Sequence, residues 1–372
     1  MQTRSLSKSA TAASVEAGAS DLAVPELLER LVERAEKANA SDVHLQMGAG
    51  GAQIMFRLDG VLAPAGDLPQ EMAERVFGRI KFLAKLKTYQ ESLPQDGRIE
   101  KSALNSRCEI RVATYPTVTG EKIVLRLFNQ TEARMLADLG FPPEVNDELR
   151  RFLRQTSGLL LLTGPAGSGK TSTIYACLRE LAQAGGRHII TVEDPAEQII
   201  PGIMQTEVNE ARGLDYAKAA RHLLRQDPQV LVLGEIRDEE TAVIAVRAAL
   251  TGHLVISTLH AGSCAGVFER LIAFCPDATA IGAAVQLVLN QRLVRRLCSA
   301  CLGAGCATCL RTGYQGRVPI AELLRVTSEL RRQVAARQWE NLEAQPNLLQ
   351  CAAKLVQEGI TNRTEVDRVL GF

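Results

Sequence analysis

One run of eight residues constrains the fold more than any other part of the chain. It has the form Gly-x-x-x-x-Gly-Lys-Thr and consists of Gly164, Pro165, Ala166, Gly167, Ser168, Gly169, Lys170 and Thr171. An apolar segment, residues 158–163, precedes it, and a helical pattern begins at Thr171, which is the context that this run requires. The glycines allow consecutive backbone N–H groups to face a phosphate, and the helix N-terminus adds partial positive charge. The run therefore predicts a nucleotide-phosphate site in an α/β domain.

The side chains of this loop have predicted roles in binding ATP. Lys170 is expected to neutralise the β- and γ-phosphates, and the Thr171 hydroxyl is expected to bind Mg²⁺. Ser172 follows in the first helical turn and is expected to complete the phosphate site together with the loop. The competing interpretation is a glycine-rich turn without a ligand, which the strand and helix patterns on either side disfavour.

Two further apolar segments end in carboxylates, which suit the chemistry of phosphoryl transfer. Residues 189–192 lead into Glu193 and Asp194, and Glu235 follows the segment 230–233 after one glycine. Ligands of open α/β sheets bind at the carboxyl ends of the strands. We therefore expect Glu193 to polarise the attacking water and Glu235 to lie on the magnesium side. The alternative for each is a solvent-exposed charge at a strand end or in a loop.

Two histidines flank another apolar segment, residues 254–259, at His253 and His260. A histidine at this place can contact the γ-phosphate or couple the nucleotide to a neighbouring domain. A single histidine is more often structural, and the residues alone favour neither interpretation.

The patterns along the 372 residues indicate two domains with short additions at both ends. Residues 1–22 have few large apolar side chains and are predicted to be disordered. Residues 23–128 mix strand and helix patterns and predict an α+β domain, followed by a linker over residues 129–143. Short apolar strands separated by helices predict a parallel sheet over residues 144–330. Residues 331–372 predict a small helical C-terminal subdomain.

The composition disfavours several classes of protein. The formal net charge is +1 and aromatic residues make up 4% of the chain, whereas nucleic-acid-binding proteins are more often basic and stack bases on aromatic rings. We therefore expect no direct nucleic-acid binding. The N-terminus is polar, and no apolar run approaches the roughly 18 residues that span a bilayer. These features predict a cytoplasmic protein that is at most peripheral to a membrane.

Four of the nine cysteines lie close together in the sequence and predict a metal site. Two Cys-x-x-Cys pairs, separated by four residues, supply the four thiolates of a tetrahedral zinc site. The four residues are Cys298, Cys301, Cys306 and Cys309. Zn²⁺ is the expected ligand, and reduced free thiols are the alternative. The other five cysteines are expected to be small buried side chains.

Several blocks of the sequence resemble those of the secretion and pilus-assembly ATPases of type II secretion and type IV pilus systems. Four blocks of the predicted nucleotide domain occur in the order found in that family, namely residues 164–171 (Walker A), 192–195 (Asp box), 225–238 (Walker B with the residues before it) and 251–260 (His box). Four upstream blocks resemble the PAS-like domain of the family, namely residues 40–44, 57–60, 95–98 and 120–126. The resemblance covers roughly residues 25–372.

The resemblance implies an α/β architecture in which a RecA-like P-loop motor domain follows a smaller PAS-like domain. It implies a ring of six subunits with ATP between the two domains. Glu193 resembles the catalytic glutamate of the family and Glu235 resembles its magnesium-side carboxylate, and the predicted catalytic set also contains Lys170 and His260.

Arginines complete the site that the resemblance implies. Arg98 and Arg111 of the smaller domain are expected to reach the phosphates, and ordinary surface charge is the alternative for both. Three more arginines are expected in the same charge network: Arg221, Arg225 and Arg237.

The function implied by the resemblance is a cytoplasmic hexameric ATPase at the inner membrane that drives assembly of a type IV pilus or a type II secretion pseudopilus. Its partner would be an inner-membrane platform protein. The cysteine cluster marks the assembly branch of the family, although the loop between the two pairs is shorter here. The alternatives are a pilus retraction motor, a nucleic-acid translocase or DNA-uptake motor, and a nucleotide-gated scaffold that binds ATP without hydrolysing it.

Overall fold

The computed structural model describes residues 23–127, 133–339 and 342–371. The predicted disordered tail lies outside these residues, and so does part of the predicted linker. The described chain forms two compact units, which divide at residue 130. No helix among the described residues is both long enough and apolar enough to cross a membrane.

The first unit is an antiparallel sheet that shares one apolar core with two helices. Its elements are α1 (Val24–Lys37), β1 (Asp42–Gly48), β2 (Gly51–Leu58), β3 (Val61–Pro69), α2 (Gln70–Leu83), β4 (Gln95–Ile99), β5 (Ile110–Thr117) and β6 (Gly120–Leu127). The six strands lie in the order β3-β2-β1-β6-β5-β4. Every neighbouring pair is antiparallel, so this unit has the predicted α+β character.

Local sequence signals account for the elements of this unit. Leu28, Leu31 and Ala35 recur at helical spacing and are buried along one face of α1. Strands β2 and β3 are joined by Asp59 and Gly60, whose φ angles are +49° and +87°. Positive φ at both central residues is the geometry that joins two strands in a tight hairpin. The Asp-Gly sequence at these two positions suits this turn, because both residue types adopt positive φ readily.

The second unit contains a sheet of seven strands with helices on both faces. Its strands are β7 (Gly158–Thr163), β8 (Ile189–Glu193), β9 (Met204–Glu207), β10 (Val230–Leu233), β11 (Leu254–Leu259), β12 (Val285–Leu297) and β13 (Tyr314–Arg325). Its helices are α3 (Pro143–Leu153), α4 (Lys170–Ala184), α5 (Tyr216–Leu223), α6 (Glu239–Leu250), α7 (Cys264–Phe274), α8 (Ala278–Ala284), α9 (Ser328–Ala335), α10 (Leu348–Gln357) and α11 (Arg363–Leu370). The strand order is β13-β12-β7-β11-β10-β8-β9.

The central strands of this sheet are buried on both faces. Every residue of β7 is buried, with Leu159 and Leu161 in the core formed with α5 to α8. Leu160 and Leu162 point into a separate core formed with α3 and α4. Strands with two apolar faces are typical of a parallel sheet covered by helices. The predicted parallel sheet is therefore confirmed.

The antiparallel edge of the sheet was not predicted. Strand β12 pairs with β7 in parallel and with β13 antiparallel. Apolar residues of this β12–β13 pair, including Val294 and Ile320, form a small core with Cys351 of α10 and Val366 of α11. The predicted C-terminal helices are therefore present, and they pack on the edge of the seven-stranded sheet within the second unit.

The cysteine loop also differs from the sequence-based division. That division placed the cysteine cluster inside the ATPase domain, whereas residues 300–313 group with the first unit. The physical reason is the side chain of Leu310, which packs against the apolar core of that unit.

Candidate nucleotide site and cysteine cluster

Four strands of the second sheet place several of the predicted site residues at one edge of the sheet. The phosphate-binding loop follows β7, Glu193 is the last residue of β8, Glu235 follows β10 and His260 follows β11. These strands are parallel and lie side by side in the order β7-β11-β10-β8. Their carboxyl ends therefore meet at the same edge, which is where ligands of such sheets bind.

The conformation of the phosphate-binding loop depends on its glycines. Gly164 has a φ of +136°, and a Cβ atom added there would lie 2.4 Å from the backbone oxygen of Gln291. Gly169, the N-cap of α4, has a φ of +92°. The Lys170 ammonium lies over the loop and donates to the backbone oxygens of Gly164 at 2.8 Å and Pro165 at 3.0 Å. Only glycine meets both the steric and the backbone requirement at position 164.

The start of α4 has the properties of an anion site. Helices α5 to α11 each begin with a side chain that accepts a backbone N–H of the first turn, whereas no side chain caps α4 and its first turn holds no acidic residue. Thr171 and Ser172 are exposed in this turn. Uncapped N–H groups, hydroxyls and the Lys170 ammonium are a donor set that fits the phosphates of a nucleotide.

Arg292 is a second cation near the phosphate-binding loop. It was not predicted from the sequence. Burial lowers the pKa of Lys170; Glu235 opposes this shift, and the positive charge of Arg292 adds to it. Burial likewise lowers the pKa of Arg292, whose guanidinium donates to Asn290 Oδ1 at 2.7 Å. Arg292 lies in β12, outside every predicted block, so no sequence signal pointed to it. The two half-buried cations favour an anion between or beside them.

A buried amide supports the loop from the same strand. Gln291 is 1% exposed. Its Nε2 donates to the backbone oxygen of Ser168 at 2.8 Å, and its Oε1 accepts from Thr173 Oγ1 at 3.0 Å. Because Thr173 belongs to α4, Gln291 joins the loop, the helix and β12. Sequence reasoning also missed this residue.

Glu235 lies at the centre of a charge network at the sheet edge. One carboxylate oxygen lies 2.9 Å from His260 Nε2, and the other accepts from Arg237 Nε at 2.7 Å. Arg237 also reaches Asp194 at 3.5 Å, and its hydrogen bond with Glu235 raises the pKa of the guanidinium. The Glu235 carboxylate and the Thr171 hydroxyl are oxygen ligands of the kind that Mg²⁺ prefers. The residues therefore fit the predicted metal.

Glu193 is buried and receives hydrogen bonds from three side chains. It is 7% exposed. Its Oε1 accepts from Thr191 Oγ1 at 2.6 Å and from Gln205 Nε2 at 2.9 Å. Its Oε2 accepts from the hydroxyl of Tyr175 on α4. Neither Tyr175 nor Gln205 was predicted from the sequence, because their contacts with Glu193 arise only when α4 and β9 pack around β8.

Other predicted residues lie away from this edge or in the first unit. His253 precedes β11 and His260 follows it, so the whole length of the strand separates the two histidines. Only His260 lies beside the carboxylates, and the suggestion that His253 contacts a phosphate is therefore wrong. Arg221 pairs with Glu240 of α6, and Arg225 is exposed beyond the end of α5.

The two arginines of the predicted smaller domain lie opposite each other in the first unit. Arg98 of β4 is the register partner of Arg111 of β5. Arg98 pairs with Glu109 at 3.2 Å, and both of these side chains are largely exposed. Directly opposed residues of an antiparallel pair project from the same face of a sheet. That these arginines reach the phosphates stays a prediction.

The four clustered cysteines converge in the folded chain. The sulfur atoms of Cys298, Cys301, Cys306 and Cys309 all lie within 4.8 Å of one another. Cys309 Sγ lies 3.8 Å from the sulfurs of both Cys301 and Cys306. Zn–S bonds of about 2.3 Å in a tetrahedron place the sulfurs about 3.8 Å apart. The short loop between the two pairs therefore brings the sulfurs to a zinc-binding separation.

Backbone groups around this cluster favour thiolates. Burial alone would raise the pKa of Cys309, but the N–H groups of Cys306 and Gly313 and the neighbouring thiols outweigh it and lower that pKa to about 6. Both N–H groups donate to Cys309 Sγ at 3.2 Å. Because a zinc ligand must be the deprotonated thiolate, these donors prepare the cluster for a metal.

The chain is similar to known proteins of one family. The chain matches the family model described as type II/IV secretion system protein over residues 18–368. It is 36% identical over 381 residues to the type II secretion system ATPase E of Vibrio cholerae, with 94% of this chain and 76% of that protein covered. It is 38% identical over 342 residues to the type IV pilus assembly ATPase PilB of Thermus thermophilus, with 84% of this chain and 38% of that protein covered.

A solved structure supports the fold independently. The crystal structure of the pilus retraction motor PilT with bound ADP matches with a TM-score of 0.64 and 25% identity, over 92% of this chain and 96% of that chain. The predicted fold of a P-loop ATPase is therefore confirmed. The chain is a member of the type II/IV secretion system protein family.

Proposed function

We propose that this chain hydrolyses ATP at the carboxyl edge of its second sheet. The observation that carries the proposal is the convergence of Lys170, Glu193, Glu235 and His260 at the ends of four adjacent parallel strands. The uncapped start of α4 supplies the phosphate site. Two carboxylates, an ammonium group and an uncapped helix N-terminus at one edge of a sheet suit phosphoryl transfer to water.

Each residue has a role that follows from its place in the site. Lys170 exchanges its two loop carbonyls for phosphate oxygens and neutralises their charge. Glu193 orients the attacking water as a general base. Glu235 and Thr171 would hold Mg²⁺, which supplies charge neutralisation for the phosphates. His260 holds one oxygen of Glu235 and fixes that carboxylate.

The proposal extends to mechanical work in assembling a type IV pilus or a type II secretion pseudopilus. Support comes from the relatives, which include a type II secretion system ATPase and a type IV pilus assembly ATPase. The four clustered cysteines lie together in the folded chain. This supports an assembly motor over a retraction motor, because the resemblance implies that the cluster marks the assembly branch of the family. We propose a homohexamer in the cytoplasm that acts on a platform protein of the inner membrane. Arg98 and Arg111 are proposed to contact the phosphates.

Phosphate release by the full chain tests the ATPase proposal. Lys170→Ala is expected to reduce turnover by about 10²- to 10³-fold, since one stabilising donor at the reacting phosphate is typically worth that much. Lys354→Ala, at an exposed position of α10, is the matched control and is expected to retain full activity. A wild-type chain that binds Mg²⁺-ATP without releasing phosphate would instead identify a nucleotide-gated scaffold.

A further inference from the structure

Among the described residues, the hydrogen bonds around Glu193 leave its carboxylate with one free acceptor position. An ionised carboxylate has about four lone-pair sites. Oε1 accepts from Thr191 and Gln205, which fills both sites on that oxygen. Oε2 accepts from the Tyr175 hydroxyl and keeps one site. A water bound to this buried carboxylate must therefore use the remaining site on Oε2.

The direction of the Tyr175 proton is fixed by its surroundings. The phenolic oxygen accepts from the backbone N–H of Glu197 at 2.9 Å and of Gln198 at 3.2 Å. With two donors pointing at this oxygen, its own proton is directed to Glu193. Burial, followed by the hydrogen bond with Glu193, raises the pKa of the Tyr175 hydroxyl. Tyr175 therefore remains a protonated donor at neutral pH.

The orientation of Gln205, the second donor to Oε1 of Glu193, is also fixed by its hydrogen bonds. The Gln205 side-chain oxygen accepts from the backbone N–H of Ile200 at 2.7 Å. Its Nε2 donates to the backbone oxygen of Gln198 at 2.9 Å as well as to Glu193. Gln205 thus ties the carboxylate to the loop between β8 and β9. Tyr175 ties the same carboxylate to α4, the helix that begins at Lys170.

We propose that Tyr175 is a positioning residue for Glu193, directing the one free acceptor site of its carboxylate toward the attacking water. The inference rests on the proposed role of Glu193 as the general base. Through α4, the Tyr175 hydroxyl places the base in a fixed relation to the phosphate-binding loop. A reacting group displaced by about 1 Å typically loses about 10²-fold in rate. A single hydroxyl can therefore control turnover without touching the nucleotide.

Other titratable groups also face this carboxylate. Glu197, on the loop after β8, has its pKa raised by burial and by Glu193. Tyr216 of α5 also interacts with Glu193, and burial raises its pKa to about 12. Asp194 is the next residue in the chain. A comparison of two chains that differ only in the Tyr175 hydroxyl keeps all of these groups constant.

The test is Tyr175→Phe in the full chain, which removes one oxygen atom. We expect kcat to fall about 10- to 100-fold while KM for ATP changes less than about twofold, since the ring stays in place and the nucleotide is not contacted. The reason for the loss in kcat is that the carboxylate loses the hydrogen bond that fixes its orientation. Tyr89→Phe, at a position that is 83% exposed, is the matched control.

A double variant separates positioning from a structural role. In a Glu193→Gln background, Tyr175→Phe is expected to cause no further loss, because Tyr175 acts only through that carboxylate. A purely structural role in holding residues 197 and 198 would lower activity in both backgrounds. Thr191→Val, which removes one donor to Oε1 and keeps the side-chain shape, is the second variant should Tyr175→Phe fail to fold. It is expected to lower kcat in the wild-type background and to cause no further loss in the Glu193→Gln background.

The outcomes separate this inference from the proposed function. Wild-type kcat in Tyr175→Phe, with kcat strongly reduced in Glu193→Gln, would overturn the inference alone. Full turnover in Glu193→Gln would instead overturn the base role on which the inference rests.

Discussion

His260 Nε2 lies 2.9 Å from a carboxylate oxygen of Glu235, so the residues that follow two neighbouring parallel strands are joined directly. Arg237 occupies the other oxygen of the same carboxylate at 2.7 Å. Glu235 is thus held from both sides at the edge of the sheet where the phosphate-binding loop also lies. Its position depends on the parallel pairing of β10 and β11, in which Leu233, the last residue of β10, lies opposite Ser257.

This relationship predicts that His260 contributes to turnover by fixing Glu235. A hydrogen bond to a charged group is worth about 1.5–3 kcal/mol, so His260→Ala is expected to lower kcat by roughly tenfold or more. Steady-state phosphate release measures the effect. The control is His222→Ala, at an exposed position of α5. Equal activity in the two variants would show that the contact has no role in turnover.

The stability of the C-terminal helix α11 is predicted to depend on pH through Glu365. This carboxylate is fully buried and binds both Arg295 and Arg368. Burial would raise its pKa, but the hydrogen bonds from Arg368 and Arg295 lower it to about 2. Since the pKa is depressed in the folded state, the stabilisation is present above the ordinary value of 4.5 and is lost as the pH falls toward 2.

Hydrogen exchange of residues 363–371 measures this dependence. Protection is expected to decrease between pH 5 and pH 3, and Glu365→Gln is expected to lower it at neutral pH by on the order of 2–3 kcal/mol. Asp367→Asn is the control, since the Arg363–Asp367 pair is largely exposed and such pairs contribute about 0–1 kcal/mol. Full protection of α11 in Glu365→Gln would contradict this account.

A buried ion pair stabilises the first unit. Lys81 Nζ lies 2.7 Å from a carboxylate oxygen of Glu121, and their side chains are 2% and 5% exposed. Lys81→Met leaves a buried carboxylate without its cation and is expected to cost about 3–5 kcal/mol of unfolding free energy. Adding Glu121→Leu is expected to recover part of this loss. Denaturant unfolding of the chain measures both effects.

The control for that experiment is Lys85→Met, four residues further along. Lys85 pairs with Glu100 at 3.4 Å, with side chains that are 81% and 70% exposed. A solvated pair of this kind contributes about 0–1 kcal/mol. A loss for Lys81→Met no larger than for Lys85→Met would disprove the structural role of the buried pair.

The cysteine cluster predicts one zinc ion per chain. Metal analysis of the purified protein is expected to find zinc at a 1:1 ratio, because the sulfur separations match tetrahedral coordination. Cys309→Ser is expected to lose the metal, whereas Cys275→Ser, at a buried cysteine outside the cluster, is expected to keep it. A zinc-free protein with four reactive thiols would support the alternative of reduced cysteines.

Much of the site followed from the sequence because its signals are local. The strand, loop and helix around Lys170 lie within one continuous segment, and each carboxylate follows an apolar strand. The supporting residues have no such signal. Gln291 contacts Thr173 across 118 residues of chain, and Tyr175 is an ordinary residue of a helical pattern. Their roles arise from packing between elements, which no local pattern specifies.

The fold shows the same limit. Continuous apolar runs such as Leu159 to Leu162 identified the parallel strands, since both faces of these strands are buried. Strand β12 was missed because Arg292 and Arg295 interrupt its apolar pattern. Those arginines are accommodated by contacts with Asn290 and Glu365, which only the folded chain brings together.

A comparison of ATP hydrolysis by the Glu193→Gln variant and by the wild-type chain tests the central claim most directly. With Mg²⁺-ATP pre-bound, phosphate release in a single turnover reports the chemical step alone. The account predicts unchanged ATP binding and a loss of about 10²- to 10⁴-fold in the rate of phosphate release, since general-base catalysis contributes that much. Phosphate release at the wild-type rate in this variant would contradict the claim that Glu193 aligns the attacking water.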